Sequence, residues 1–195
     1  MTTPTNKIAT TAAPIMPVLA ERWSPRSFDA THTLTQHELL SVLEAARWSE
    51  SANNGQPWRF AIITRDDAKH AEVSATLAGW NQAWAPVASA IILVAVQKLT
   101  ADGSPYAIAR YDAGLAVSKL VIQAQELGLH THQMAGLDAA KAAEVLGLPA
   151  DYEFIVSLAI GKVASADLLA EPLHEREIAP RTRLELDEIV FYGKP

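Results

Sequence analysis

The 195-residue chain contains no cysteine. That absence excludes a disulfide scaffold, thiolate zinc sites, thiol catalysis and cysteine-ligated iron–sulfur clusters. Basic residues are in the minority, 16 Lys and Arg against 22 Asp and Glu, for a formal charge of -6. A sequence-nonspecific nucleic-acid binder needs a net basic face, so this balance argues against that class. Long hydrophobic runs are missing too. The longest, residues 85–96, contains Pro86 and Ser89 and is too short to span a bilayer. Pro4, Pro14, Pro17 and several threonines break up the N-terminal stretch that a signal peptide would need. A disordered tail over 1–14, a single domain over 15–195 and a soluble, cytoplasmic protein are the expectation.

Apolar residues supply 49% of the chain, enough to collapse around a core. Three β-rich runs stand out, at 59–64, 90–96 and 154–160. The second is apolar on both faces and so predicts a strand inside a covered sheet. Helices are predicted between them. One spans 35–48 and opens on a Thr35/Glu38 capping box, with Leu39, Leu40, Leu43 and Ala46 on one face. A second begins at Asp66 or Asp67 and ends at Leu77 before Gly79. The third, 105–127, carries apolar residues most of the way round, which implies a central helix or one shared with a partner subunit. The fourth, 138–146, has an Asp cap and stops at Gly147. Strands among helices point to a two- or three-layer α/β or α+β domain.

Several common sites are absent. No G-x-G-x-x-G follows a strand and no Walker loop occurs. His130 and His132 form a His-x-His pair without an obvious third ligand, so no metal is expected; hydrogen bonding in a loop or strand is the reading. Arginine is more informative. Arg22, Ser24 and Arg26 precede the first helix, and Arg181 and Arg183 lie near the other end. If the two pairs converge they make a phosphate site, since guanidinium donates in bidentate fashion and keeps its charge. Otherwise they are solvated arginines with stems packed on the core. The run 49–60, with Ser51, Asn53, Asn54, Gly55, Gln56 and Trp58, is either a turn or a ligand loop. Amide side chains match the donor–acceptor edge of a heterocycle, and the run is longer than a turn requires.

These residues resemble the nitroreductase family of FMN-dependent oxidoreductases. The resemblance rests on Arg-x-Ser-x-Arg-x-Phe from Arg22, Ser-x-x-Asn-x-Gln-Pro-Trp-x-Phe from Ser51, the segment 128–138, and Arg181-x-Arg183 before a final Glu-Ile-Val-x-Tyr-Gly. The four motifs keep the family's order and cover 21–194. By resemblance, the fold is α+β in three layers, a central mixed but mostly antiparallel sheet flanked by helices, in an intertwined homodimer. By the same resemblance Arg22, Ser24, Arg26, Arg181 and Arg183 bind FMN around its phosphate, ribityl chain and pyrimidine edge. Ser51, Asn53, Asn54 and Gln56 belong to the loop that meets the flavin of the other subunit. Asn81 matches a cofactor-binding asparagine, though a plain loop asparagine fits its context equally well. Met134, Ala135 and Gly136 match the segment beside the flavin ring, where a backbone N–H meets N5. Glu50 stands where many members have proline, and Ala135 where some carry glutamate, so the substrate pocket differs from theirs.

The activity implied is reduction of nitroaromatics, quinones or related planar acceptors by NAD(P)H through ping-pong hydride transfer at flavin N5, with no acid–base triad from the protein. Trp23, Trp58, Trp80 and Trp84 either line the pocket or simply pack. Alternatives are specialised flavin chemistry (dehalogenation or flavin fragmentation), a flavin-binding or sensing protein without efficient turnover, and an interaction module that binds no flavin.

Overall fold

A computed structural model describes residues 7–193. Four strands, β1 (Trp58–Thr64), β2 (Ala90–Gln97), β3 (His130–Met134) and β4 (Tyr152–Gly161), form one sheet in the order β1-β2-β4-β3. All three ladders are antiparallel. The helices are α1 (Pro17–Glu21), α2 (Gln36–Arg47), α3 (His70–Ser74), α4 (Asn81–Trp84), α5 (Ala109–Glu126), α6 (Ala139–Leu146), α7 (Leu173–Ile178) and α8 (Leu186–Ile189).

The all-apolar run in the middle of the chain becomes β2, flanked on both sides by other strands. Its side chains alternate between two cores, as the strand period requires. Ile92, Val94 and Val96 pack with Val42 and Ala46 of α2 and with Ala113, Val117 and Leu120 of α5. Ile91, Leu93 and Ala95 pack on the opposite face with Phe28, Val73, Trp84 and Ala142. Helices on both faces of an antiparallel sheet give the expected three layers.

Local chemistry sets the helix ends. Thr35 Oγ1 accepts from Glu38 N at 3.2 Å and the Glu38 carboxylate accepts from Thr35 N at 2.8 Å, closing the predicted capping box on α2. Asp138 caps α6 by accepting from Lys141 N, and Gly147 ends it at φ 66°. Two predicted helices are shorter than expected. The second loses its first turn to an Asx turn at Asp67, which accepts from Lys69 N at 2.7 Å, and its end to a bridge between Leu77 and Leu137. The third starts at Ala109 because Pro105 bridges Leu99 and Tyr106 N donates to the Lys98 carbonyl at 2.8 Å. α5 runs as a central helix between the sheet and α2, while Tyr111 on its outer side stays exposed.

Residues 1–6 of the expected tail lie outside the described residues. The rest is not contact-free: Lys7 is buried and Ala9 N donates to the Ala20 carbonyl at 2.9 Å.

Candidate functional site: a cationic cavity and the loops around strand β3

The two arginine pairs converge. Arg22 and Arg26 follow α1, which docks beside the segment after α7, and a cavity of about 230 Å³ is lined by Lys7, Arg22, Trp23, Ser24, Arg26, Arg176, Arg181 and Arg183. Arg22 Nη1 donates to Ser24 Oγ at 3.0 Å. Arg181 is anchored to backbone instead, donating to the carbonyls of Lys7 at 2.8 Å and Ala20 at 2.7 Å. Burial and then the nearby Arg181 and Arg183 push the Arg22 guanidinium below its ordinary range; burial, then Arg183, does the same to Arg181. Burial is also the main cause at Arg26, opposed by Glu177 and reinforced by Arg176. Crowded cations that depress one another favour an anion between them.

One carboxylate holds this arrangement in place. Glu177, on α7, is 2% exposed, with Oε1 and Oε2 accepting from Arg26 N at 2.9 and 3.0 Å and Oε1 from Ser27 N at 3.1 Å. Its carboxylate also lies 3.8 Å from Arg26 Nη1. Two backbone donors on a buried carboxylate fix the path of the arginine loop. Sequence reasoning missed Glu177, although its i+4 spacing from the buried Leu173 puts it on the inward face of α7.

Strand β3 runs from beside the arginine loop towards the second group of expected residues. His132 Nδ1 donates to the Pro25 carbonyl at 2.9 Å, tying the strand to the arginine loop, and its ring tilts against Trp84 at 4.6 Å. Burial pushes His132 down to about 4, with Arg26 adding to the effect against the Pro25 hydrogen bond. His130 is likewise pushed down to about 4 by burial, then by Arg22. Hydrogen bonding was expected of both histidines. His132 meets that expectation, whereas both ring nitrogens of His130 are buried without a partner among the described residues. No group of three or more possible metal ligands occurs among the described residues.

At the far end of β3, Met134 is buried, its carbonyl accepting from Ser157 Oγ at 3.2 Å, and Gly136 turns the chain against α4. The Gly136 carbonyl accepts from Ala78 N at 2.9 Å. A Cβ on Gly136 would lie 3.2 Å from Ala78 Cβ and 3.3 Å from Asn81 Nδ2. Asn81 and the 134–136 segment, distant in sequence, are therefore neighbours, and Ala135 between them is exposed.

The Ser51 loop lies elsewhere. Asn53 and Gly55 line a separate cavity with Gln97, Thr100, Tyr106 and Ile108, sharing no residue with the arginine cavity. Asn53, Asn54 and Gln56 adopt φ of 51°, 54° and 46°, the left-handed region that costs most at glutamine. Ser51 Oγ accepts from Gln56 N at 3.0 Å, and the buried Asp112 accepts from Ala52 N at 3.2 Å, which holds the strained loop on α5. Glu50 is ion-paired with Lys119 of α5, whose hydrogen bond lowers its carboxyl. Trp23, Trp58 and Trp84 are buried and Trp80 is exposed.

The cationic cavity fits a phosphate-bearing cofactor such as FMN. Trp23 lines it, and its buried indole N–H has no acceptor among the described residues. Neutral and cationic donors converging from two chain ends suit phosphate oxygens.

The Nitroreductase family profile matches residues 19–90 and 68–162. An uncharacterized 15.4 kDa protein in the ask 5' region of Mycolicibacterium smegmatis is 35% identical over 129 residues, covering 63% of this chain and 84% of that protein. An oxygen-insensitive NADPH nitroreductase of Helicobacter acinonychis (strain Sheeba) is 33% identical over 126 residues, covering 63% of this chain and 59% of the relative. A solved structure described as an oxidoreductase containing FMN superimposes with a TM-score of 0.88 at 34% identity, over 95% of this chain and 94% of that one. The chain belongs to the nitroreductase family.

Proposed function

We propose that the protein is an FMN-dependent oxidoreductase that uses NAD(P)H to reduce small planar acceptors of the nitroaromatic or quinone type. The observation that carries this reading is the cavity of converging arginines at one end of β3, with Asn81 and the 134–136 segment gathered at the other. Bound FMN supplies the hydride chemistry. Arg22, Ser24, Arg26, Arg181 and Arg183 hold its phosphate and ribityl chain by charge-assisted hydrogen bonds. Glu177 keeps the backbone of Arg26 in place so that less ordering is needed on binding. Asn81 lies beside Gly136, where a side chain would crowd Ala78 and Asn81, and the backbone of Ala135 and Gly136 would face the reacting ring and polarise it. With one flavin face serving NAD(P)H and then the acceptor, the kinetics would be ping-pong.

The working unit in this reading is a homodimer in which Ser51, Asn53, Asn54 and Gln56 serve the partner's cofactor. Large apolar side chains left on the surface support it: Trp48 at the end of α2, Tyr111 on α5, and Phe191 and Tyr192 near the C-terminus. Among the described residues no helix is long and apolar enough to cross a membrane, and we assign the protein to the cytoplasm, where NAD(P)H is available.

Replacing Arg22 and Arg183 together by alanine tests the cofactor assignment. Removal of two phosphate-contacting cations is expected to lower FMN affinity at least a hundredfold and give a colourless protein with an unchanged far-ultraviolet spectrum. A double variant that retains its flavin would remove the phosphate site from the account.

A further inference from the structure

Lys7, which lines the cationic cavity, belongs to neither the arginine motifs nor the family segments. Lys7 lies in the N-terminal stretch, outside the matched region, yet is only 5% exposed. Its Nζ sits 4.8 Å over the Trp23 ring and donates to the Ala179 carbonyl, and both residues line the cavity. Its backbone is latched as well. The Lys7 carbonyl accepts from Arg181, which also binds the Ala20 carbonyl, and Ala9 N donates to that same carbonyl. The N-terminal stretch is thus stitched to α1 and to the segment after α7 at the point where the two arginine pairs meet.

A buried ammonium has three donors and carries a full charge. Burial lowers its affinity for a proton, Glu177 opposes that, and Arg26 and Arg181 add to the loss. A cation in that position gains most from an anion in the same cavity. Solvation of a flexible lysine would leave it in water, whereas this one is packed on an indole and held among guanidinium groups.

We propose that Lys7 is a further ligand of the cofactor phosphate, and that residues 7–9 form a strap completing the cationic cavity from the N-terminal side. The inference rests on the FMN reading of the cavity. Arg181 has a double part in it, contributing charge and fastening the strap through the Lys7 carbonyl. Because Lys7 meets phosphate and no other part of the cofactor, it discriminates FMN from riboflavin.

The full-length protein, stripped of flavin, is titrated with FMN and separately with riboflavin while flavin fluorescence is followed. Lys7→Met keeps the apolar stem on Trp23 and removes the charge; Lys7→Arg keeps both. Lys7→Met is expected to weaken FMN binding about ten- to a hundredfold, the range of one charged hydrogen bond, with riboflavin binding changed less than twofold. Lys7→Arg is expected to restore most of the FMN affinity. Wild-type FMN affinity in Lys7→Met would overturn the proposal. So would an equal loss for both flavins, which marks a packing role. If Lys7→Met melts earlier without ligand, Lys7→Arg decides: recovery of melting temperature without recovery of FMN affinity refutes the assignment. A wild-type protein with no preference for FMN over riboflavin would instead overturn the FMN reading itself.

Discussion

At the scale of single residues, the glutamine–asparagine loop and the two histidines make separate demands. Gly55 has an ordinary φ of -71°, so its requirement is space: a Cβ there would overlap the Tyr106 hydroxyl and lie 3.1 Å from both Tyr106 Cζ and the Ala52 carbonyl oxygen. Gly55→Ala is expected to cost about 1–3 kcal/mol in urea unfolding, with Tyr106→Phe in the same chain recovering part of it. Equal costs in both backgrounds would show that Tyr106 is not the obstacle. His132 is pushed down to about 4 from an ordinary 6.5, and His130 likewise. With the folded value below the unfolded one, the stabilising effect of a neutral histidine is complete above pH 6.5 and is lost as pH falls towards 4, up to about 3 kcal/mol for each. His132→Gln should therefore lose less melting temperature than wild type between pH 6.5 and 4. A parallel acid profile would contradict this. The arginines were legible because guanidinium pairs stand out in an acidic chain. Lys7 and Glu177 were not, because their burial arises from contacts to Ala179 and to the arginine loop, far away in sequence.

At the scale of elements, caps and alternation were readable and polar strands were not. The Thr35 capping box and the Asp138 cap are local chemistry, decided within four residues, and both form as the side chains dictate. Asp138→Ala is expected to destabilise the protein by about 0.5–2 kcal/mol while α6 keeps its packing through Ala142, measured by chemical denaturation. No change in midpoint would mean that the adjoining Leu77–Leu137 bridge, not the cap, sets the start of α6. The sequence His-Thr-His-Gln-Met has no apolar alternation, and it becomes β3 only because β4 offers a ladder from Gly161 to Ser157. That strand is the element which joins the phosphate end of the candidate site to the 134–136 segment, so tertiary pairing, not propensity, places the site. The predicted helix from 105 was too long for a related reason. Its first residues spend their hydrogen bonds on the loop after β2.

At the scale of the whole molecule, one fully apolar strand among helices gave a two- or three-layer α/β or α+β domain, and the resemblance to the family narrowed it to three layers and α+β. The division of labour within the candidate site was less legible. One chain brings together the arginines and, separately, Asn81 with Gly136, but leaves the Ser51 loop in a cavity of its own. A second copy of the chain reconciles the two in the proposed dimer, because α5, which fastens the Ser51 loop through Asp112, also presents Tyr111 outward. Charge at this scale is uneven: the chain is acidic overall, yet its arginine cavity is cationic. With no cysteine available, electron transfer in this account belongs to a bound flavin. The most direct test is to mix the purified yellow protein anaerobically with NADPH or NADH, follow the visible flavin band, and then add a nitroaromatic or a quinone. Bleaching on reduction and return of the band when the acceptor arrives are the expected result. A colourless protein, or a yellow one that neither nicotinamide bleaches, would contradict it.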